Sequence, residues 1–214
     1  MPARSVIPEL LDHLPADDPA AMRSRRDLRR INFLMGNERW VRSQLKKFPK
    51  PAGFGIVEIG AGDGALCSQM ARLFPEAPIA AYDLAPKPQK LDSRVTWHQG
   101  DLFEQIPPSN GGILVANLFL HHFEKPALVA LGKWISGFDV FIFNEPDRSQ
   151  LPHYLGNLIN PFINRVTRHD MHVSIDAGFT KGEISDFLEL DLRHWQIRET
   201  STWRGARRMV AYRI

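Results

Sequence analysis

The stretch VEIGAGDGALC, Val57 to Cys67, constrains this chain more than any other. A short apolar run enters it and a helical pattern, ALCSQMARLF (65–74), leaves it. Between them stand Gly60, Gly62 and Gly64, which permit a tight turn and close approach of backbone to a ligand. The helix start supplies free N–H groups and partial positive charge, a setting for a carboxylate or another anion. Gly60, Gly62 and Ala65 also satisfy a dinucleotide fingerprint, so the glycines alone leave the ligand open among adenosine cofactors. Asp83 follows Gly60 by 23 residues and suits ribose hydroxyls in either case. Glu58 narrows the choice. A carboxylate inside an apolar strand is costly without a partner, and a cationic or amino-bearing ligand provides one where NAD does not.

Around this turn, short apolar runs alternate with helical stretches. FGIVEI (54–59), PIAAYDL (78–84), VTWHQGD (95–101), GGILVANLFL (111–120) and DVFIFNEP (139–146) read as strands. Their nearly continuous apolar character suits strands covered on both faces. HWQIRET (194–200) and RRMVAYRI (207–214) are strand-like and closely linked, as in an antiparallel hairpin. The expected fold is α/β, a Rossmann-like three-layer sandwich of about seven strands, mostly parallel, with a C-terminal antiparallel hairpin. Residues 1–50 read as an N-terminal helical cap, PKPAG (49–53) as a breaker, and 51–214 as the main domain. A helical cover over the substrate is expected at about 148–180, with 149–166 helical and interrupted by Pro161.

Charge is nearly balanced, with 27 basic and 24 acidic residues among 214. A nucleic-acid partner is therefore permitted but not implied. The run RSRRDLRR (23–30) reads as a solvated helix face, with a phosphate-binding patch as the alternative. The single cysteine, Cys67, fits a reducing compartment and reads as packing. No apolar run reaches the length of a membrane span, and the N-terminus lacks the apolar core of a signal peptide. A cytoplasmic monomer or homodimer is expected.

The motifs VEIGAGDG, AAYDL, QGDLF and ILVANLFLHHF, in that order and followed by the hairpin, resemble the class I S-adenosylmethionine-dependent methyltransferases. The resemblance implies S-adenosyl-L-methionine as cofactor. It assigns the methionine end to Glu58, Gly60, Ala61 and Gly62, ribose to Asp83 with Leu84, and adenine to Asp101 with Leu102. Asn117 then lies on the cofactor side of the chemistry and Phe119 on the substrate side. RINFLMGNERWVRSQL, LFLHHF and TRHDMHVSIDAGFTKGEI are similar to small bacterial quinone- and polyketide-type methyltransferases. That likeness implies a small aromatic acceptor, phenolic, quinol or polyketide-like, methylated at O or C. An RNA methyltransferase and a catalytically silent, methyltransferase-like binding protein are the alternatives. The N/D-P-P-aromatic signature of amine and amide methylation is absent, since Asn117 is followed by Leu-Phe-Leu.

A phenol, with a pKa near 10, is within reach of a histidine base. The candidates are His122, His121 and His169, with Arg168 and Asp170 as substrate-binding neighbours. No metal site is expected. Adjacent histidines diverge on a strand or helix, and neither CxxC nor HExxH occurs.

Overall fold

The computed structural model describes residues 3–15, 17–108 and 111–214. Seven strands form one sheet: β1 (Ile56–Ile59), β2 (Ile79–Asp83), β3 (Val95–Gln99), β4 (Ile113–Asn117), β5 (Val140–Pro146), β6 (Trp195–Ser201) and β7 (Ala206–Arg213). Their order is β3-β2-β1-β4-β5-β7-β6. The first five pair in parallel, and β7 inserts antiparallel between β5 and β6. The order reverses between β1 and β4, the place where open α/β sheets bind ligands beyond their carboxyl ends.

Side-chain alternation assigns each strand residue to a layer. Leu114, Ala116, Phe141 and Phe143 pack with Leu128, Leu131 and Trp134 of α5 (Lys125–Trp134). On the other face Ile113, Val115, Val140 and Ile142 pack with Leu66, Cys67 and Met70 of α4 (Ala65–Leu73) and with Val41 and Leu45. The last two belong to α2 (Asn37–Leu45), so this helix is part of the sheet's own covering layer. Helix α1 (Pro19–Met35) starts on Asp18, which accepts the N–H groups of Ala20 and Ala21, and stops at Gly36 in the left-handed conformation.

Several boundaries differ from expectation. PKPAG is helical: Pro49 opens α3 (Pro49–Phe54), a place where its fixed φ is favourable. The first strand therefore starts at Ile56, not Phe54. The interruption expected at Pro161 is present: a 3-10 turn, Asn160–Phe162, divides the 149–166 stretch into α6 (Gln150–Ile159) and α7 (Arg165–Ala177). Helix α7 carries most of TRHDMHVSIDAG, and Asn164 caps it by accepting from the Thr167 N–H. A short α8 (Glu183–Phe187) follows. Helices α1, α6 and α7 pack together, and their residues roof a cavity beyond the carboxyl ends of β4 and β5. The fourth strand ends at Asn117, three residues early, for a reason that lies in the site.

Phe143 is fully buried in the layer under that site. Phe143→Ala is expected to cost about 3–5 kcal/mol by opening a cavity, read as a lower urea midpoint with an unchanged slope.

Candidate active site

Glu145 continues the inward face of Phe141 and Phe143 and is wholly buried at the end of β5. Its Oε1 accepts the N–H groups of Phe119 (3.0 Å) and Leu120 (2.9 Å). Its Oε2 accepts the His121 N–H (3.3 Å) and faces His121 Nδ1 at 2.9 Å. Three successive backbone donors converging on one carboxylate cannot belong to a strand, so the chain turns. Leu118 takes a left-handed φ of 59°, and Leu120–His122 form a 3-10 turn. The left-handed residue costs about 1–2 kcal/mol, which the bonds to Glu145 offset.

This turn makes adjacent histidines converge. The His121 and His122 rings lie 4.2 Å apart, against the expectation that neighbours diverge. A second carboxylate arrives from the N-terminal segment: Glu9 Oε1 is 3.7 Å from His121 Nε2. Glu9, His121 and His122 each bring one potential ligand atom to within 4.8 Å of the others, a spacing that admits a metal ion. The cluster also balances as an ion-pair network. Burial opposes the imidazolium, but Glu145 and Glu9 outweigh it and hold His121 at a pKa of about 9. Burial pushes Glu9 up, but its pairing with His121 and the hydrogen bond from Ser174 prevail and keep it below the usual range. Burial and the charge of His121 push His122 down.

Two cavities meet here. One, of about 610 Å³, is lined by Glu58, Gly60, Ala61, Gly62, Asp63 and Asn117, with Arg25, Arg29, Arg39 and Arg42 from α1 and α2. The other, of about 590 Å³, is largely apolar, with Ile31, Met35, Leu155, Ile159, Met171, Ile175 and Trp203 around His121 and His122. Leu28, Asn32 and Asn117 line both.

The glycine turn fits the methionine end of an S-adenosyl cofactor. A Cβ on Gly62 would meet nothing within 4 Å, so its backbone stands open to a ligand. Glu58 is buried, accepts the Cys67 thiol at 2.7 Å among the described residues, and is raised by burial to about 8. Such a carboxyl is suited to an arriving cation. Gly60 is required differently: at φ +67° its Cβ would lie 2.1 Å from the Phe119 ring. Phe119 is thus a wedge under the turn and lines neither cavity, a correction to its expected place on the substrate side.

Other expected residues also stand elsewhere. Asp83 accepts from the N–H groups of Gly62 (2.7 Å) and Ala85 (2.8 Å), bracing the glycine turn. Asp101 caps a short turn through the Phe103 N–H. Leu84 is exposed, Leu102 is buried in the core, and none of these four lines the cavity. From α7 the acceptor cavity receives Met171, Ser174 and Ile175. His169 lies off that lining, its Nδ1 2.9 Å from Asp170. Arg168 is spent on the Asn160 carbonyl. Asp170 is buried and accepts the N–H groups of Leu10 and Leu11, so it anchors the segment carrying Glu9 rather than a substrate. Sequence reasoning missed Glu145, although a carboxylate inside an apolar strand is the signal that singled out Glu58. It also missed Glu9, for which no local signal exists.

The family described as O-methyltransferase domain matches residues 18–134, more than half of the chain. The chain belongs to this family. The methyltransferase assignment drawn from the four ordered motifs and the closing hairpin is thereby borne out. The malonyl-[acyl-carrier protein] O-methyltransferase of Bacillus cytotoxicus is 25% identical over 175 residues, covering 74% of this chain and 58% of that protein. Methyltransferase str3 of Strobilurus tenacellus is 32% identical over 96 residues, covering 40% of this chain and 35% of that protein. The chain thus spans less than two thirds of either curated relative. Among solved structures, the plantazolicin methyltransferase BpumL in complex with SAH superposes with a TM-score of 0.72 at 10% identity, covering 92% and 91% of the two chains. The pyocyanin biosynthetic protein PhzM gives 0.62 at 21% identity, covering 97% of this chain and 62% of its own. These likenesses show the shared fold. No helix among the described residues of this O-methyltransferase-family chain is long and apolar enough to cross a membrane.

A cofactor cation arriving beside Glu58 would link binding to protons in a measurable way. A cation beside it favours its ionised form, so binding near neutral pH releases a proton, and affinity rises with pH before levelling above about 8. Calorimetry with S-adenosylmethionine in two buffers of different ionisation enthalpy is expected to show this release, and Glu58→Gln to abolish it. Identical heats in both buffers would contradict the role.

Proposed function

We propose that this chain transfers a methyl group from S-adenosylmethionine to a hydroxyl of a small, largely apolar aromatic acceptor, with His121 as general base. The observation that carries this reading is the meeting of the two cavities at Asn117, with His121 in the wall of the second. The methyl comes from the side of the glycine turn and the acceptor from the side roofed by α1, α6 and α7. Proteins of the same fold that act in natural-product chemistry, the plantazolicin methyltransferase BpumL and the pyocyanin biosynthetic protein PhzM, support a natural-product acceptor.

The cofactor supplies an electrophilic methyl on a sulfonium; this chain's residues position, deprotonate and exclude water. The apolar lining desolvates the acceptor. Glu145 takes Nδ1, fixing the ring so that Nε2 is the nitrogen left for a substrate proton. The raised pKa suits a phenol: a proton passing from a group near 10 to one near 9 moves almost without cost. An ordinary imidazole would face a gap of about 3.5 units. The cost of this tuning is that most His121 is protonated at pH 7. Arg25 and Arg29, the centre of the basic run, wall the cofactor cavity. Their placement supports a role toward a ligand carboxylate and gives no separate support to an RNA substrate.

The pH profile separates the candidate bases. For a phenol un-ionised in the assay range, kcat/KM is expected to rise about tenfold per unit and flatten near pH 9 if His121 acts. With His122 it would already be flat above pH 6.5, since its pKa is lowered. His121→Ala is expected to lose roughly 10²–10⁴ in rate with cofactor affinity intact, while His169→Ala stays within a few-fold. A profile flat across pH 6.5–9, or a larger loss for His169→Ala, would overturn the assignment.

A further inference from the structure

Abstraction at His121 leaves a proton on a buried imidazole, and it must reach solvent before the next turnover. The Nδ1 side offers no way out. Glu145 is wholly buried and both its oxygens are already bonded to the backbone of the His121 turn. Nε2 is the other nitrogen, and the carboxylate it faces is Glu9.

Behind the histidine pair lies a third cavity, of about 320 Å³, lined on its outer side by Val6, Ile7 and the exposed Asp12. Glu9, His121, His122 and Ser174 line both this cavity and the acceptor cavity, so they form the partition between the two. Glu9 is held in that partition from several directions. The Ser174 hydroxyl donates to its Oε1. Asp170 accepts the next two backbone N–H groups. Arg4 ties the same segment to the carbonyls of His121 (3.0 Å), Phe123 (2.8 Å) and Ala177 (2.7 Å). A flexible N-terminal segment would not need three anchors to deliver one carboxylate to one ring nitrogen.

We propose that Glu9 is the proton exit of this site, taking the proton from His121 Nε2 and releasing it into the outer cavity beside Asp12. This deepens the reading of His121 as base and rests on it. The acceptor O–H breaks as Nε2–H forms; the oxygen's electron pair makes the C–O bond while the C–S pair stays on sulfur. The Nε2 proton then passes through the Glu9 carboxylate to water, a transient uphill step because His121 holds its proton more tightly than Glu9 does, and this restores the neutral imidazole and the carboxylate that the reaction uses. The charged groups that set the titration of His121 are Glu145 from β5 and Glu9 from the N-terminal segment; His122 stands beside it on the same turn, and Asp12 acts on His122. Ser174 on α7 is uncharged, and Arg4 reaches the His121 carbonyl rather than the ring.

The alternative is that Glu9 only braces the ring. The test compares Glu9→Gln, which keeps an acceptor for Ser174, and Glu9→Asp with the unaltered protein on two probes. One is a simple phenol, un-ionised in the assay; the other is a nitrophenol already ionised at the same pH. Glu9→Gln is expected to lose roughly 10–100-fold with the phenol and no more than about threefold with the nitrophenol. The pH at which its phenol profile flattens should fall, because His121 loses one of its two carboxylates. Added acetate or imidazole should restore part of the phenol rate, and Glu9→Asp should lie between. Equal losses on both probes, or no loss on either, would overturn the exit role and leave Glu9 a brace. An unaltered protein that methylates neither probe would instead overturn the reading on which the exit rests.

Discussion

The carboxylate of Glu145 is the interaction on which the site depends. Buried at the end of β5, it gathers three consecutive N–H groups and one ring nitrogen from the segment after β4. A buried carboxylate without such donors would be costly there. The segment, without the carboxylate, would have no reason to leave the strand at Asn117 and accept a left-handed Leu118. Each therefore requires the other. Their combination ends the strand, wedges Phe119 beneath Gly60 and turns His121 toward the acceptor cavity. The glycine turn and the histidine turn are mechanically joined through that one ring.

Electrostatics gives the two cavities opposite characters. The cofactor side offers Glu58, a carboxyl whose proton a cation would displace, among arginines suited to a carboxylate. The acceptor side is apolar except for the histidine pair, Glu9 and a few polar neighbours. There the cation is internal, held by carboxylates on both ring nitrogens. A positively charged donor and a neutral aromatic acceptor would each find the environment they need, with Asn117 between them.

The fold was legible because its determinants are local. Apolar runs of strand length, glycines at 60, 62 and 64, and a closing pair of strand-like segments suffice for a sheet of this topology. The glycine turn with its buried carboxylate was legible for the same reason, since Glu58 and the glycines are neighbours in the chain. What escaped sequence reasoning depends on distant pairs. Glu9 and His121 meet only because Asp170 and Arg4 secure an N-terminal segment against α7 and the histidine turn. His169 and Arg168 carried attractive chemistry, but helix α7 presents Met171, Ser174 and Ile175 to the cavity instead. Asp83 and Asp101 do local work on turns, which strand-end position alone does not distinguish from ligand contact. The short helix α3 was hidden by prolines that break helices inside but begin them well.

The central claim is that His121, clamped by Glu145, faces the acceptor oxygen across from the methyl donor. A crystal structure with S-adenosylhomocysteine and a phenol tests it most directly. The account requires the phenol oxygen within about 3.2 Å of His121 Nε2 and on the Asn117 side of the cavity, with Nδ1 still on Glu145. A phenol oxygen paired with His122 or His169, or a His121 ring turned away from Glu145, would contradict it.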